Sequence, residues 1–360
     1  MSELQISLLF IGIAVVLAVY GYNWWQQRQH RRRFGAAFQQ QGEDALYRAA
    51  TEKSSGKILD ETAIDQVLPT GLAQTSAMVE RRRWPRECAL LDAATDYIAV
   101  LSLKSPGNAQ ALAPLWQQRF DFRKNVHVCG LNAASGAWEK VVAESPLSYS
   151  AFKLAVQLAD RSGAVSEARL ADFRDLVRNI AAQLHAEAEL PDVAIARARA
   201  LELDGFCAKV DLMIGLNILP SGERKFSGNE IASAAEVHGM SLQADGAFHL
   251  LNERGYTLFS LSNYDNVPFQ HHTLGQMWVS GLTLLLDVPR IEQPAQRFDG
   301  MAVLARELAM DLRAALVDDH RVALGESGIA QIREQVAAIE NRMLSGNITP
   351  GSAQARRLFV

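Results

Sequence analysis

The sequence predicts an α+β chain: a single N-terminal transmembrane helix, then two ferredoxin-like (split βαβ) modules with antiparallel sheets. Three observations carry this expectation. Residues 6–25, "ISLLFIGIAVVLAVYGYNWW", contain no charged residue. From Asp96 onward, runs rich in β-branched and aromatic residues alternate with amphipathic helical stretches. The strand–loop–helix beginning at Leu154 also aligns without a gap on the one beginning at Leu282, which suggests an internal duplication.

The apolar stretch comes first. About 20 residues at roughly 1.5 Å each span a hydrocarbon core of about 30 Å. A cleaved signal peptide has positive charge before a shorter apolar core and a small-x-small site after it. Here "MSELQ" carries Glu3 and no Lys or Arg, while Arg28, Arg31, Arg32 and Arg33 follow the core. This order predicts a retained anchor with its N-terminus outside and the long C-terminal part in the cytoplasm. Tyr20, Tyr22, Trp24 and Trp25 suit the headgroup level. A buried helix of a soluble domain would show a polar face, which residues 6–25 lack.

Residues 1–33 are thus read as the anchor and its basic flank, and polar, irregular residues 34–94 as a linker. A short helix is expected near 63–67, and Arg81–Arg83 with Arg86 form a basic patch that fits a solvated linker or a second membrane-surface contact. The first module is expected at 95–195. "DYIAVLSL" (96–103) reads as a strand, "NAQALAPLWQQRF" as a helix despite Pro114, and "NVHVCGLN", "AWEKVV" and "AFKLAVQLA" as strands. In "SEARLADFRDLVRNIAAQL" (166–184), Leu170, Phe173, Leu176, Val177, Ile180 and Leu184 recur at helical spacing. The second module is expected at 205–345. "AKVDLMIGLNIL" (208–219) reads as a strand and "SGNEIASAAEVHG" as a helix capped by Ser227 and stopped by Gly239. "GAFHLLNERGYTLFSLSN" is a hairpin turning at Asn252–Gly255. A strand "GLTLLLDV", a long helix to "LRAAL", a short strand in "LVDDHRVAL" and a last helix follow. Residues 346–360 are expected to be a frayed tail.

Composition and motifs narrow the function. A net charge of −4 argues against a nucleic-acid partner. Cys88, Cys129 and Cys207 are scattered without metal-ligand spacing and fit reduced cytosolic thiols. No phosphate-binding glycine loop, nucleophile elbow or H-E-x-x-H motif is present. His271 and His272 are adjacent and fit an exposed loop; Asp318 and Asp319 fit a turn or a helix end. The reading is therefore not an enzyme and needs no cofactor or metal.

The sheet of the second module offers another route. Helices cover one face, so the other is solvated or used for binding. Strand alternation assigns Ile214, Leu216, Ile218, Phe259, Leu261, Leu282, Leu284 and Leu286 to the helices. Met213, Gly215, Leu258, Ser262, Tyr264, Thr283 and Leu285 then fall on the open face, with room over Gly215. Such a mixed, partly apolar face can take a peptide, be an ordinary solvated face, or contact the first module.

"LNI", "GAFHLL", "LFSLSN", "GLTLLLDVP" and "LVDDHR", in that order across 208–343, make this region resemble the C-terminal domain of the ZipA family, bacterial division proteins that tether FtsZ to the inner membrane. The predicted anchor and cytoplasmic tether match as well. The resemblance implies a division adaptor at the bacterial inner membrane that binds the FtsZ C-terminal peptide on the open face, with the lipid bilayer engaged through residues 6–25. Its contact positions would be Met213, Gly215, Asp245, Ala247, Ser262, Tyr264, Asn266, Thr283 and Leu285. Gly215 and Asp245 replace larger apolar residues of the family pattern. The linker is also shorter than the family's long Pro/Gln-rich one, and the folded 95–195 module is additional. A small ligand held between paired ferredoxin-like modules, making the chain a membrane-anchored sensor, is the alternative; a polar pocket between the halves would favour it.

Overall fold

The computed structural model describes Cys88, residues 90–318 and residues 320–360. The expected anchor at 6–25, the basic patch at 81–86 and nearly all of the linker lie outside them. Among the described residues no helix is long and apolar enough to cross a membrane.

Two antiparallel sheets carry the fold. The first is built from β1 (Asp96–Asn108), β2 (Val126–Asn132), β3 (Trp138–Lys140), β4 (Ser148–Gln157) and β5 (Glu187–Glu189), in the order β3-β2-β4-β1-β5. Helix α1 (Ala113–Gln118) joins β1 to β2, α2 (Glu167–Gln183) joins β4 to β5, and α3 (Val193–Val210) leads out. The second sheet comprises β6 (Met213–Pro220), β7 (Ser241–Leu242), β8 (Phe248–Leu251), β9 (Thr257–Asn263), β10 (Leu282–Asp287) and β11 (Ala314–Val317), in the order β7-β8-β9-β10-β6-β11. Here α4 (Gly228–Val237) follows β6, α5 (Pro294–Asp311) joins β10 to β11, and α6 (Glu326–Ser345) and α7 (Ala353–Leu358) close the chain. Without β3, the first sheet runs β2-β4-β1-β5; without β7 and β8, the second runs β9-β10-β6-β11. Both are the split βαβ arrangement. The correspondence reaches single residues: His185 and Arg313, just past α2 and α5, both adopt the left-handed conformation, with φ of 49° and 50°.

Local chemistry accounts for the element ends. Ser166 caps α2 through the Arg169 N–H, and Ser227 with Glu230 forms a reciprocal capping box on α4. These backbone bonds hold the Glu230 carboxyl below its ordinary range. Pro114 divides the expected helix into a 3-10 turn, Ala109–Leu112, and the short α1, which it starts. Gly239, at φ 73°, stops α4, and Gly255, at φ 76°, serves the β8–β9 turn.

Several elements differ from the sequence-based expectation: the sequence predicts neither β5 nor α3, and the long helix expected to run to "LRAAL" ends at Asp311, so that Ala314–Val317 form β11. Residues 208–210 end α3, and the strand begins only at Met213. The buried residues of α3 include Ala196, Ala200 and Cys207, so its packing face is made largely of small side chains and lacks the bulky apolar stripe that marks α2.

Each sheet buries one face under helices. Tyr97, Leu154 and Val156 pack with Phe173, Val177 and Ile180 in the first core. Ile214, Leu216, Ile218, Leu282, Leu284 and Leu286 pack with Phe298, Met301 and Leu308 in the second. A third cluster joins the halves: Cys207 and Val210 of α3, Met343 of α6, and Ile348, Leu358 and Phe359. The C-terminal residues are therefore folded rather than frayed. Leu358 and Phe359 are buried, and Arg357 donates to both oxygens of Asp96 at 3.1 and 3.0 Å. Arg161 adds a polar link, donating to Asp211 and Asp287. Burial opposes the Arg161 charge, but these two carboxylates outweigh it and hold the guanidinium protonated; burial raises the Asp287 carboxyl, with Arg161 opposing.

Cysteine chemistry also departs from expectation. Cys88 and Cys129 form a disulfide, with Cα atoms 6.5 Å apart, where the sequence predicts three reduced thiols. Cys207 is free, and its burial pushes the thiol up to about 12. The 41-residue separation of the pair leaves no spacing signal, because folding alone brings Cys88 beside β2.

A candidate binding face on the second sheet

The site starts from register. On β10, Leu285 lies opposite Gly215 of β6 on one side and Ser260 of β9 on the other. One step along, Thr283 lies opposite Asn217 and Ser262. Residues directly opposite in an antiparallel sheet share a face. Met213, Gly215, Ser262, Thr283 and Leu285 are therefore brought together, all half-buried, on the side away from the helices. Tyr264 continues the row, its N–H donating to Gly281 O at 3.1 Å.

The face is ordered by its own polar groups. Thr283 Oγ1 donates to Asn217 Oδ1 at 2.9 Å, and Ser262 Oγ to Thr283 O at 3.4 Å. Gly215 does not leave an empty pit. A Cβ there would lie 3.3 Å from Thr283 Cγ2 and 3.4 Å from Leu285 Cδ2, so those side chains already lean over the glycine.

The remaining expected positions sit at the rim. Ala247 directly precedes β8 and is half-buried; Asp245 is exposed, in the turn before it. Asn266 is exposed in the turn after β9, in the left-handed conformation at φ 58°, which asparagine tolerates. His249, which the sequence-based expectation omits, lies on the face opposite Ser260. Its Nε2 is 2.9 Å from Asp245 Oδ2 and its Nδ1 is 2.9 Å from Thr257 Oγ1. Strand alternation counted from Phe248 is the signal that places it there.

The first sheet offers an instructive contrast. The gapless alignment, offset by 128 residues, places Gln157 where the second sheet has Leu285, and the strand partner of Gln157 is Asp96. There the chain covers its own face: Gln157 Nε2 donates to Arg357 O at 3.0 Å, and Arg357 clamps Asp96. Cys129, two residues beyond the counterpart of Ser262, is bonded to Cys88. In the second sheet the corresponding side chains stay half-exposed. Nothing in this arrangement resembles a metal centre: among the described residues, no group of three or more His, Cys, Asp or Glu could hold a metal ion.

Residues 212–335 match the family model described as ZipA, C-terminal FtsZ-binding domain. Among characterised proteins, the chain is 24% identical over 147 residues to the cell division protein ZipA of Stutzerimonas stutzeri, covering 38% of this chain and 52% of that one. It is 24% identical over 151 residues to ZipA of Ectopseudomonas mendocina, covering 41% and 55%. Against ZipA of Pseudomonas aeruginosa it is 26% identical over 141 residues, covering 38% and 49%. The chain spans about half the length of these relatives.

Proposed function

Since residues 212–335 belong to the ZipA family of C-terminal domains, we propose that this chain is a membrane-anchored cell division adaptor that binds the C-terminal tail of FtsZ on the open sheet face. Residues 6–25 hold it in the bacterial inner membrane, with the N-terminus periplasmic and the modules cytoplasmic; that placement follows the charge order around the apolar stretch, and the Cys88–Cys129 disulfide runs against it. The tail runs over Met213, Gly215, Asp245, Ala247, Ser262, Tyr264, Thr283 and Leu285, with Asn266 at the edge of the contact. Anchoring raises the effective concentration of FtsZ tails at the bilayer. The function is binding without turnover.

The observation that carries this reading is the shared, half-exposed face of Met213, Gly215, Ser262, Thr283 and Leu285. Met213, Leu285 and Tyr264 supply apolar anchors in a shallow patch. The matching strand orders and the gapless alignment offset by 128 residues support an internal duplication in which the first module lost its open face to its own chain. The apolar cluster and the Arg161 ion pairs between the halves favour that supporting role over a ligand-sensing one.

The test is a titration of a fluorescent FtsZ C-terminal peptide with the full chain in detergent micelles. Saturable binding is expected, and Leu285→Asp or Met213→Asp should abolish it while leaving the thermal unfolding midpoint within about 2 °C, since both side chains are half-exposed. Absence of saturation at millimolar concentration, or normal binding by both variants, overturns the proposal.

A further inference from the structure

We propose that the segment immediately before Cys88, "ERRRWPRE" (80–87), packs on the face of the first sheet that points away from the helices, and that the Cys88–Cys129 disulfide is a redox clasp that holds it there. The peptide face of the second module plays no part in this contact.

Register defines the face. On β2, His127, Cys129 and Leu131 lie opposite Ala155, Lys153 and Ala151 of β4. Those β4 residues lie in turn opposite Ile98, Val100 and Ser102 of β1, and Leu131 lies opposite Trp138 of β3. The alternate residues Val128, Phe152 and Leu154 pack with the helices, so this set points away from them. Lys153 Nζ stands 4.8 Å from the centre of the Trp138 ring, as two side chains on one face do.

This face is more deeply buried than the helices explain. Cys129, Ala151 and Ala155 are fully buried and Leu131 is 4% exposed. Among the described residues, the apolar clusters include none of the four. Arg357 closes the end at Gln157 and Asp96. Cys88, itself buried, closes the middle through Cys129. Leu131 and Ala151 lie beyond both.

The path of the chain names the occupant. From Asp96, at the start of β1, the chain runs back to Cys88, whose carbonyl accepts from the Leu91 N–H at 3.0 Å, and so to Cys129 in the middle of β2. Continued in that direction it meets Leu131, two residues further along β2 and about 7 Å away. An extended chain covers that distance in about two or three residues. Pro85 and Trp84 stand at that remove from Cys88 and are the apolar pair of an otherwise charged segment. An indole laid on Leu131 and Ala151, beside Trp138, is a cover of the required size.

The bond makes the contact conditional. Closed, it ties Cys88 to β2 with the Cα atoms 6.5 Å apart, so the residues before it stay concentrated at the face. A dithiol reductant opens it by exchange. The reductant's two thiols give up two electrons and two protons, Cys88 and Cys129 become thiols, and the reductant closes its own disulfide. The segment is then held by apolar contact alone and opens locally far more often.

Limited trypsin digestion of the full chain in detergent micelles tests both parts. Cleavage after Arg83 and Arg86 is timed by mass spectrometry against cleavage after Arg48, Lys53 and Lys57 of the linker. One sample is oxidised with glutathione disulfide and one reduced with dithiothreitol. In the oxidised chain Arg83 and Arg86 should be cut about tenfold more slowly than the three linker sites. Reduction, or Cys88→Ser, should speed cutting at both by roughly that factor and leave the linker sites unchanged. Trp84→Ala should speed it in the oxidised chain, with the thermal midpoint within about 2 °C of the parent. Cutting at Arg83 and Arg86 as fast as in the linker of the oxidised chain overturns the docking. Equal protection in both samples, or no Cys88–Cys129-linked peptide after oxidation, overturns the clasp.

Discussion

Replacing Arg357 with alanine tests the folded C-terminus most directly. The Asp96 side chain is fully buried, and Arg357 is its ionic partner at 3.0 Å, with only 16% of the arginine side chain exposed. Removing one member of a buried pair leaves an uncompensated charge and typically costs about 3–5 kcal/mol. Asp96 keeps two other donors, the Asp92 N–H at 2.9 Å and the Thr95 hydroxyl at 3.3 Å, which places the expected loss near the lower figure, about 3 kcal/mol. For a structured region of this size, each kcal/mol lowers the midpoint by roughly 2–4 °C, so a drop of about 6 °C or more is expected. Differential scanning calorimetry of the full chain measures it. The double variant Arg357→Met/Asp96→Asn, which removes both charges together, should recover much of the loss. An Arg357→Ala midpoint within about 1–2 °C of the parent, by that same scale, would refute the docking of α7 on the first sheet.

Three further outcomes follow from the packing. Gly228→Ala places a Cβ 1.8 Å from the carbonyl oxygen of Leu274, a backbone clash that should cost at least about 3 kcal/mol in chemical unfolding. Cys207, buried and with its thiol pushed up to about 12, is roughly one part in ten thousand thiolate at about pH 8; it should resist iodoacetamide in the folded chain and react after urea unfolding, as mass spectrometry of the alkylated peptide would report. His127 is held below its ordinary value by burial first and then by Arg357, with Asp96 opposing and Lys140 adding. Just below about pH 6.5 the unfolded chain therefore takes up a proton that the folded chain refuses. Stability should fall as pH drops through that window, and His127→Leu should flatten the decline in a midpoint-versus-pH series.

Much of the fold is legible in the sequence. Runs rich in β-branched, aromatic or alternating apolar residues mark β1, β2, β4, β6, β9 and β10, and the cap at Ser227 with the stop at Gly239 marks the ends of α4. Those signals are local: a pleat alternates side chains regardless of what lies beyond it, and a cap is satisfied within three residues. The same alternation separates Leu282, Leu284 and Leu286 from Thr283 and Leu285, and so draws most of the candidate face. Helix α3 is hidden because small buried residues carry no bulky stripe, and α7 because a six-residue helix has no stability of its own.

What the sequence determined by itself is therefore the class of each module, the polarity of the second sheet's faces and the apolar character of residues 6–25. Only tertiary structure decided which of the two equivalent faces stays open. Arg357 and Asp96 lie 261 residues apart, Cys88 and Cys129 lie 41 apart, and Arg321 reaches Tyr264 from a turn beyond β11. No local pattern encodes such meetings, because each depends on two distant segments being held against a common sheet. Once they are so held, the buried Asp96 carboxylate finds the Arg357 guanidinium. That pairing helps to close the face of the first module, while Met213, Ser262, Thr283 and Leu285 on the second sheet stay half-exposed.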